Sequence, residues 1–383
     1  MTRFGHRARG YPYRRMRRHA ALLAFALVAT TAPAAGAAPA CFGRRATIVG
    51  DRDGGSLRGT PGDDVIVGGP GTDFIDGRGG NDRICGGSNL WEEEDWIKGG
   101  PGDDLLDGGV RNDLLYGGRG ADYITGNASY DLIHAGPGDD VARGADGSDR
   151  VFGGPGDDKL YGGDSPDYLL GDTGDDKMDG GEGSDAVMYQ MNCCDYSYNP
   201  DGVVVDLPAG TGKAPGEADT LTGIEDIWWS PGDDTLIGTD ADNWIRSGDG
   251  EDIVDAGGGD DYLIPDDPYE NPAGGTDHVD GGSGTDWVRY DGFDPMTVDL
   301  AAGRADGGDK GPDELVGIEN VYGSYTTDTL SGDAGDNELV GGPSGDGNES
   351  GDDYLDGREA SDVLDGADGT DTCVNGETLR NCP

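Results

Sequence analysis

Basic residues are scarce in this chain: 27 lysines and arginines face 77 aspartates and glutamates over 383 residues. The resulting formal charge of −50 excludes nucleic acid and anionic membrane surfaces as natural partners and points to cations instead. Histidine is nearly missing, and of the four only His134 and His278 lie beyond the first twenty residues. No H-E-x-x-H pair and no G-x-S-x-G elbow occurs, which removes zinc-protease and serine-hydrolase chemistry. The 75 glycines follow no three-residue period and only 20 prolines accompany them, so the chain is not collagen-like. High net charge with modest hydrophobicity would ordinarily mean disorder. Order therefore has to come from some regularity in the sequence.

Long apolar runs are also absent, with one exception. Seven arginines between Arg3 and Arg18 precede "AALLAFALVA" (Ala20 to Ala29) and a small-residue stretch ending Ala38-Pro39-Ala40. This reads as a secretory signal peptide over residues 1–40 with cleavage before Cys41, the apolar run being too short to span a bilayer. Ala38 stands where a lipoprotein signal carries leucine, which argues against lipid attachment at Cys41. An exported chain with an even number of cysteines favours disulfides. The most economical pairs are Cys41 with Cys85 and Cys373 with Cys382. Cys193 and Cys194 are adjacent, and a vicinal bond, a bond to another chain or free thiols all fit the sequence.

What the sequence has in abundance is one phrase, G-G-x-G-x-D-x-U-x, with U a large aliphatic residue. Its aspartates are Asp64, Asp73 and Asp82, then, after a four-residue excess in "GGSNLWEEED", Asp95. From Asp95 they recur every ninth residue: Asp104, Asp113, Asp122, Asp131, Asp140, Asp149, Asp158, Asp167, Asp176 and Asp185. Two residues after each comes U, from Ile66 to Val187, and only Ala142 is small. A merely solvated acidic run would not be phased to an aliphatic position. Glycines allow a turn with positive φ, and the residues around U make a short strand with U pointing inward. Strand, turn, strand, turn gives an 18-residue coil, and stacked coils bury two facing columns of U.

Stacking also brings carboxylates together along each edge, so a cation is required. Calcium accepts six to eight oxygens from carboxylates and carbonyls in a tolerant geometry. Magnesium wants a strict octahedron, and zinc or copper would want nitrogen or sulfur. Sites are expected between turns 18 residues apart, such as Asp140 with Asp158 and Asp158 with Asp176, aided by carbonyls of Gly154 and Gly156. The additional acid of each "GDD" (Asp139, Asp157, Asp175) is expected to add negative potential rather than a ligand.

The pattern resembles the calcium-binding nonapeptides of the RTX (repeat-in-toxin, hemolysin-type) family, strongly so from Gly59 to Met188. The resemblance implies an all-β parallel β-roll, or β-helix solenoid, with several calcium ions in its turns. It also implies ligand roles for Asp64, Asp73, Asp82, Asp104, Asp122, Asp140, Asp149, Asp158, Asp176 and Asp185, and in later units for Asp252, Asp261 and Asp286. Carbonyls of turn glycines would join them, including Gly62, Gly71, Gly80, Gly102, Gly120, Gly138, Gly147, Gly154, Gly156, Gly174 and Gly183. The turns "GGVRND", "GNASYD" and "GGDSPD" depart from the motif and are weaker candidates.

After Tyr189 the period stops and a longer phrase occurs twice: "GVVVDLPAG" (202–210) with "GIED", and "MTVDLAAG" (296–303) with "GIEN". These read as wider coils on the same solenoid, bent near 189–218 and 265–273, with nonapeptides resuming around Asp242 and at Asp336. The expected organisation is a signal peptide (1–40), an N-terminal cap (41–58), a regular roll (59–188) and a continuation (189–383). That continuation holds inserts near 189–237 and 287–331 and a C-terminal disulfide cap. Trp228, Trp229, Trp244 and Trp287 read as packing residues, and His134 and His278 as solvated surface histidines. The expected function is that of a secreted calcium-binding module, without catalysis, whose folding is coupled to extracellular calcium at a cell surface or matrix. The alternative is a calcium-scaffolded enzyme or lectin acting on polysaccharide.

Overall fold

A computed structural model of the chain describes residues 39–88, 94–189, 202–265, 275–290, 292, 294–307, 312–342 and 351–382. The expected signal peptide up to residue 38, Cys193 and Cys194, and residues 190–201 and 266–273 of the two expected bends lie outside the described residues. Among the described residues there is no α-helix, and no helix long and apolar enough to cross a membrane.

The chain winds as a parallel β-solenoid. One sheet of 16 strands runs from Gly55–Arg58 to Thr378–Arg380, and a second sheet faces it. Within the regular region each strand pairs with the strand 18 residues on, as Leu160 with Met178 in one sheet and Val151 with Leu169 in the other. One nonapeptide therefore supplies one strand, and two supply a full coil. The four-residue excess before Asp95 leaves the stacking unchanged: Ile75 pairs with Ile97, 22 residues on, and the surplus falls largely on residues 89–93 outside the described set.

Every U residue from Ile66 to Val187 is buried, and Ala142 is fully enclosed between its neighbours Ile124 and Leu160 in the same column. Alternation follows from the pleat: in Lys159–Asp164 the side chain of Leu160 points in while Lys159 stays exposed. Replacing Leu160 with alanine should cost about 2–5 kcal/mol of stability in the presence of calcium, whereas Lys159→Ala should stay within about 0.5 kcal/mol. Denaturant melts of the two variants check this, and equal losses would remove Leu160 from the core.

The first coil begins earlier than the repeat suggests. Ile48 pairs with Ile66 and Leu57 with Ile75, so residues 41–58 supply a coil of their own rather than a separate cap. The period hides it because Ala46 and Gly55 occupy the aspartate positions. Cys41 and Cys85 are bonded, tying the antiparallel Ala40–Cys41/Arg44–Arg45 pair to the second sheet, and Cys373 and Cys382 are bonded at the other end.

The long inserts are not wider coils. Val204–Asp206 turns back into Thr211–Lys213, which turns again into Asp219–Thr222, and both pairings are antiparallel. The outer strands then join the parallel stacks, Asp219–Thr222 on Lys177–Glu182 and Val204–Asp206 on Thr235–Ile237. Met296–Asp299, Arg304–Gly307 and Pro312–Val316 repeat the meander. The V-D-L-x-A-G phrase sets the reversal. Asp206 accepts a bond from the Ala209 amide and Asp299 one from the Ala302 amide, while Gly210 and Gly303 take left-handed conformations with φ of 66° and 61°.

The two sheets differ on their outer faces. On the 16-stranded sheet, ring stacks run along the solenoid: Tyr116, His134 and Phe152 stack at 5.0 and 4.7 Å, and Tyr168, Trp228, Trp244 and Tyr262 follow at 5.0 to 5.4 Å. Trp228 and Trp244 thus pack as expected, and the ring of Trp287 is half-buried beside Tyr262. His134 corrects the expectation of a solvated histidine. Its ring is sandwiched between Tyr116 and Phe152, and burial holds its pKa below the usual imidazole value. His278 does face outward, 3.1 Å from Glu314.

Candidate metal centre

The turn aspartates form a ladder along each edge of the solenoid. Each is buried, and one carboxylate oxygen accepts the backbone N–H of the aspartate one coil earlier. Asp158 Oδ1 takes the Asp140 amide at 2.7 Å, and Asp176 Oδ1 takes the Asp158 amide at 2.8 Å. The other edge follows the same rule, with Asp149 on Asp131 and Asp167 on Asp149. Fifth-position acids work in the opposite direction. Asp139 accepts the Asp157 amide and Asp157 the Asp175 amide, at 3.3 and 3.1 Å, so the first acid of "GDD" also ties coils together.

The second oxygen of the ladder aspartates is the feature that matters chemically. In Asp82, Asp104, Asp122, Asp140, Asp158 and Asp176 on one edge, Oδ2 is buried and accepts no hydrogen bond from any described residue. Asp113, Asp131, Asp149, Asp167 and Asp185 do the same on the other edge, as do Asp261 and Asp286 further on. A buried acceptor without a partner is costly, more so when charged. Burial first, then neighbouring carboxylates, push these acids up: Asp158 and Asp122 to about 8, Asp131 to about 9, Asp82 and Asp176 to about 7. Asp104, Asp140, Asp149 and Asp185 rise to about 6.

Oxygen surrounds these atoms. A Cβ on Gly153 would strike Asp158 Oδ2 and the Gly171 carbonyl, and a Cβ on Gly156 would strike the Gly138 carbonyl of the coil before. Gly156 also has a φ of 147°, so any side chain there meets both strain and a carbonyl. Of the other glycines expected to serve the site, Gly71, Gly80, Gly102, Gly120, Gly138, Gly147, Gly154 and Gly174 also have φ between 100° and 153°, whereas Gly62 and Gly183 do not. No group of three or more His, Cys, Asp and Glu side chains converges among the described residues. The donor set is therefore single carboxylates among backbone carbonyls, all oxygen. That suits calcium, which needs six to eight oxygens at roughly 2.3–2.6 Å and supplies the positive charge that the ladder lacks.

Among the expected site residues, Asp64, Asp73, Asp252, Asp261 and Asp286 take the ladder position too. Asp64 differs in one respect, since its Oδ2 already accepts the Thr60 amide at 2.6 Å. The turns that depart from the motif share the ladder geometry of the others. Arg111, Ser129 and Ser165 take φ of 97°, 87° and 84° in place of glycine, and Asp113, Asp131 and Asp167 keep the ladder geometry. After the inserts the register needs correction by one residue. Asn243 and Asn337 occupy the ladder, while Asp242 and Asp336 act as fifth-position acids toward Asp260 and Ser361. Each of these turns offers an aspartate and an asparagine side by side, and the backbone places the asparagine in the ladder.

A stack of parallel coils with buried carboxylates on both edges defines the class as a metal-binding β-roll. A family model of the RTX calcium-binding nonapeptide repeat matches residues 58–89, the overlapping spans from 93 to 187, and 230–263, 316–346 and 349–377. The chain belongs to the RTX calcium-binding nonapeptide-repeat family. No curated protein matches it.

Proposed function

We propose that this protein is an exported calcium-binding solenoid that folds as it takes up the ion and then serves as a structural or surface-interaction module rather than a catalyst. The observation that carries the reading is the row of buried Oδ2 atoms, Asp122, Asp140, Asp158 and Asp176 on one edge and Asp131, Asp149, Asp167 and Asp185 on the other, that accept no hydrogen bond from any described residue. Such a row is unstable by itself and is stabilised by a divalent cation, so binding energy becomes folding energy. Carboxylates committed to a cation or to a neighbouring amide are not available for proton transfer, and His134 is enclosed by rings. Export is supported by the arginine-rich, apolar and small-residue sequence of the first forty residues.

Asp158→Asn provides the test. The amide oxygen can keep the bond to the Asp140 amide, but the charge disappears. In calcium the variant should melt at lower temperature than the wild type and require about tenfold more ion for folding. In chelator at pH 8 it should retain more residual β-structure by circular dichroism than the wild type, because a buried charge has been removed. A variant that shifts in the same direction under both conditions would refute the assignment.

A further inference from the structure

The ladder is not uniform, and its exceptions occur together at the two inserts. On one edge, Asp219 continues the series by accepting the Asp176 amide, but its Oδ2 accepts the Tyr189 hydroxyl at 3.0 Å. At the second insert Asp313 does the same, with the Asp277 amide on Oδ1 and the Tyr290 hydroxyl on Oδ2 at 3.1 Å. Both tyrosines stand where the regular repeat ends before a meander. Their O–H donates to the oxygen that lacks a partner in Asp158.

The other edge closes by a different device. Here glutamate replaces aspartate: Glu225 accepts the Asp185 amide and Glu319 the Asp286 amide, at 3.0 and 2.8 Å. The following rung is an asparagine, and its Nδ2 donates to that same glutamate's carbonyl, Asn243 to Glu225 at 2.6 Å and Asn337 to Glu319 at 2.9 Å. An N–H donor thus occupies a carbonyl, and the rung itself is neutral. Both asparagines also close their own turns, Oδ1 accepting from the Thr239 and Asp333 amides at 2.6 and 2.8 Å. Asp328, which restarts the first edge after the second meander, has its carboxylate taken by the Ser324 amide and hydroxyl at 2.6 and 2.8 Å. Asp219, Asp313 and Asp328 therefore hold hydrogen-bond donors on their carboxylates, and Asn243 and Asn337 are neutral, where Asp158 and Asp261 present an Oδ2 with no donor among the described residues.

We propose that these two junctions exclude calcium and divide the solenoid into three blocks that bind and release the ion separately. The first block runs to Asp185, the second includes Asp261 and Asp286, and the third includes Asp362 and Asp371, whose Oδ2 atoms, like that of Asp158, are buried and accept no hydrogen bond from any described residue. The inference rests on the calcium reading above. Hydrogen bonds from protein donors hold the junctions, so the sheets stay continuous across them while the row of cations does not. The antiparallel meanders contribute to this, because their last strands bring Asp219 and Asp313 to the tyrosines that precede them.

The test uses the full chain, stripped of metal on a chelating resin and titrated with calcium. Hydrogen exchange is read strand by strand, and bound ions are counted after equilibrium dialysis. Asp140→Asn/Asp158→Asn should raise the calcium midpoint for protection of Lys159–Asp164 and Tyr168–Leu170 by at least about tenfold. Tyr354–Asp356 and Val363–Asp365, beyond the second junction, should keep the wild-type midpoint within about twofold. A shift transmitted equally to those strands would overturn the division into blocks. In the ion count, Asp158→Asn should lose at least one ion and Asp219→Asn none. Equal losses in the two would overturn the metal-free junction, and if Asp219→Asn does not fold, the exchange experiment decides alone. A wild-type chain that takes up no calcium would instead refute the calcium reading on which the blocks depend.

Discussion

Stripped of calcium at pH 8, the protein is expected to lose most of its β-structure and expand, and to recover both cooperatively as calcium is returned in the millimolar range. The reason lies in the spacing of the ladder. Parallel coils lie about 4.8 Å apart, so each edge places ionised carboxylates at that interval. Two unit charges about 5 Å apart at an effective dielectric of about 20 repel by roughly 3 kcal/mol. A buried aliphatic side chain contributes only about 1.5–3 kcal/mol. Each nonapeptide supplies one of each, Leu160 and Asp158 for example, so repulsion along the edge is of the size of the core's own contribution. Ordering so many glycines opposes folding further. Circular dichroism and hydrodynamic radius, recorded with and without calcium, are the measurements. Coincident spectra in the two conditions at pH 8 would show that the core holds the fold without the ion.

The second large effect is a reversal of pH dependence on removing the metal. In the metal-free fold, burial and then neighbouring carboxylates push Asp158 and Asp122 up to about 8 and Asp131 to about 9. Unfolded aspartate titrates near about 3.9. Between these values the folded chain holds more protons than the unfolded one, so stability falls as pH rises. The contribution is complete below the unfolded value and is lost as pH passes through the raised folded values, from about 6 to about 9. Resin-stripped protein should therefore be more ordered at pH 5 than at pH 8. With calcium present the dependence has the opposite sign, because protons compete with the ion for the same oxygens, and acid should unfold the protein. Thermal melts at both pH values, with and without calcium, would show the two trends crossing. Metal-free stability that increases from pH 5 to pH 8 would contradict the ladder's electrostatics, and calcium-loaded stability unchanged down to about pH 3 would contradict carboxylate ligation.

The arrangement of ladder and junctions also explains why one family pattern covers the chain only in segments. The family matches cover the glycine turns, and a gap from 188 to 229 takes in the first meander. There the V-D-L-x-A-G reversal and a tyrosine donor replace the nonapeptide, and Asn243 follows within the next matched span. The second meander uses the same components with Tyr290, Glu319 and Asn337. The inserts thus preserve sheet continuity with hydrogen-bond donors of the protein itself.

By itself the sequence determined whatever depends on period. A nine-residue spacing of aspartate and aliphatic residue dictates short strands, coils of two repeats, a column of buried Ile, Leu and Val, and acids on two edges. The pairing of Cys41 with Cys85 and of Cys373 with Cys382 was likewise legible, as the most economical of the possible pairs. Only the tertiary structure decided what each side chain meets across coils. It extended the solenoid back to Ile48, where no aspartate marks the turn, and moved two rungs from Asp242 and Asp336 to Asn243 and Asn337. It turned the inserts into antiparallel meanders and placed His134 within a ring stack. The physical reason is the same in each case. Period is a local property, carried by nine residues, whereas a hydrogen-bond partner is set by stacking between residues 18 to 43 positions apart. A repeat can therefore announce that its aspartates line an edge, but which of their oxygens a tyrosine, an amide or a cation satisfies is decided only when the coils are laid one on another.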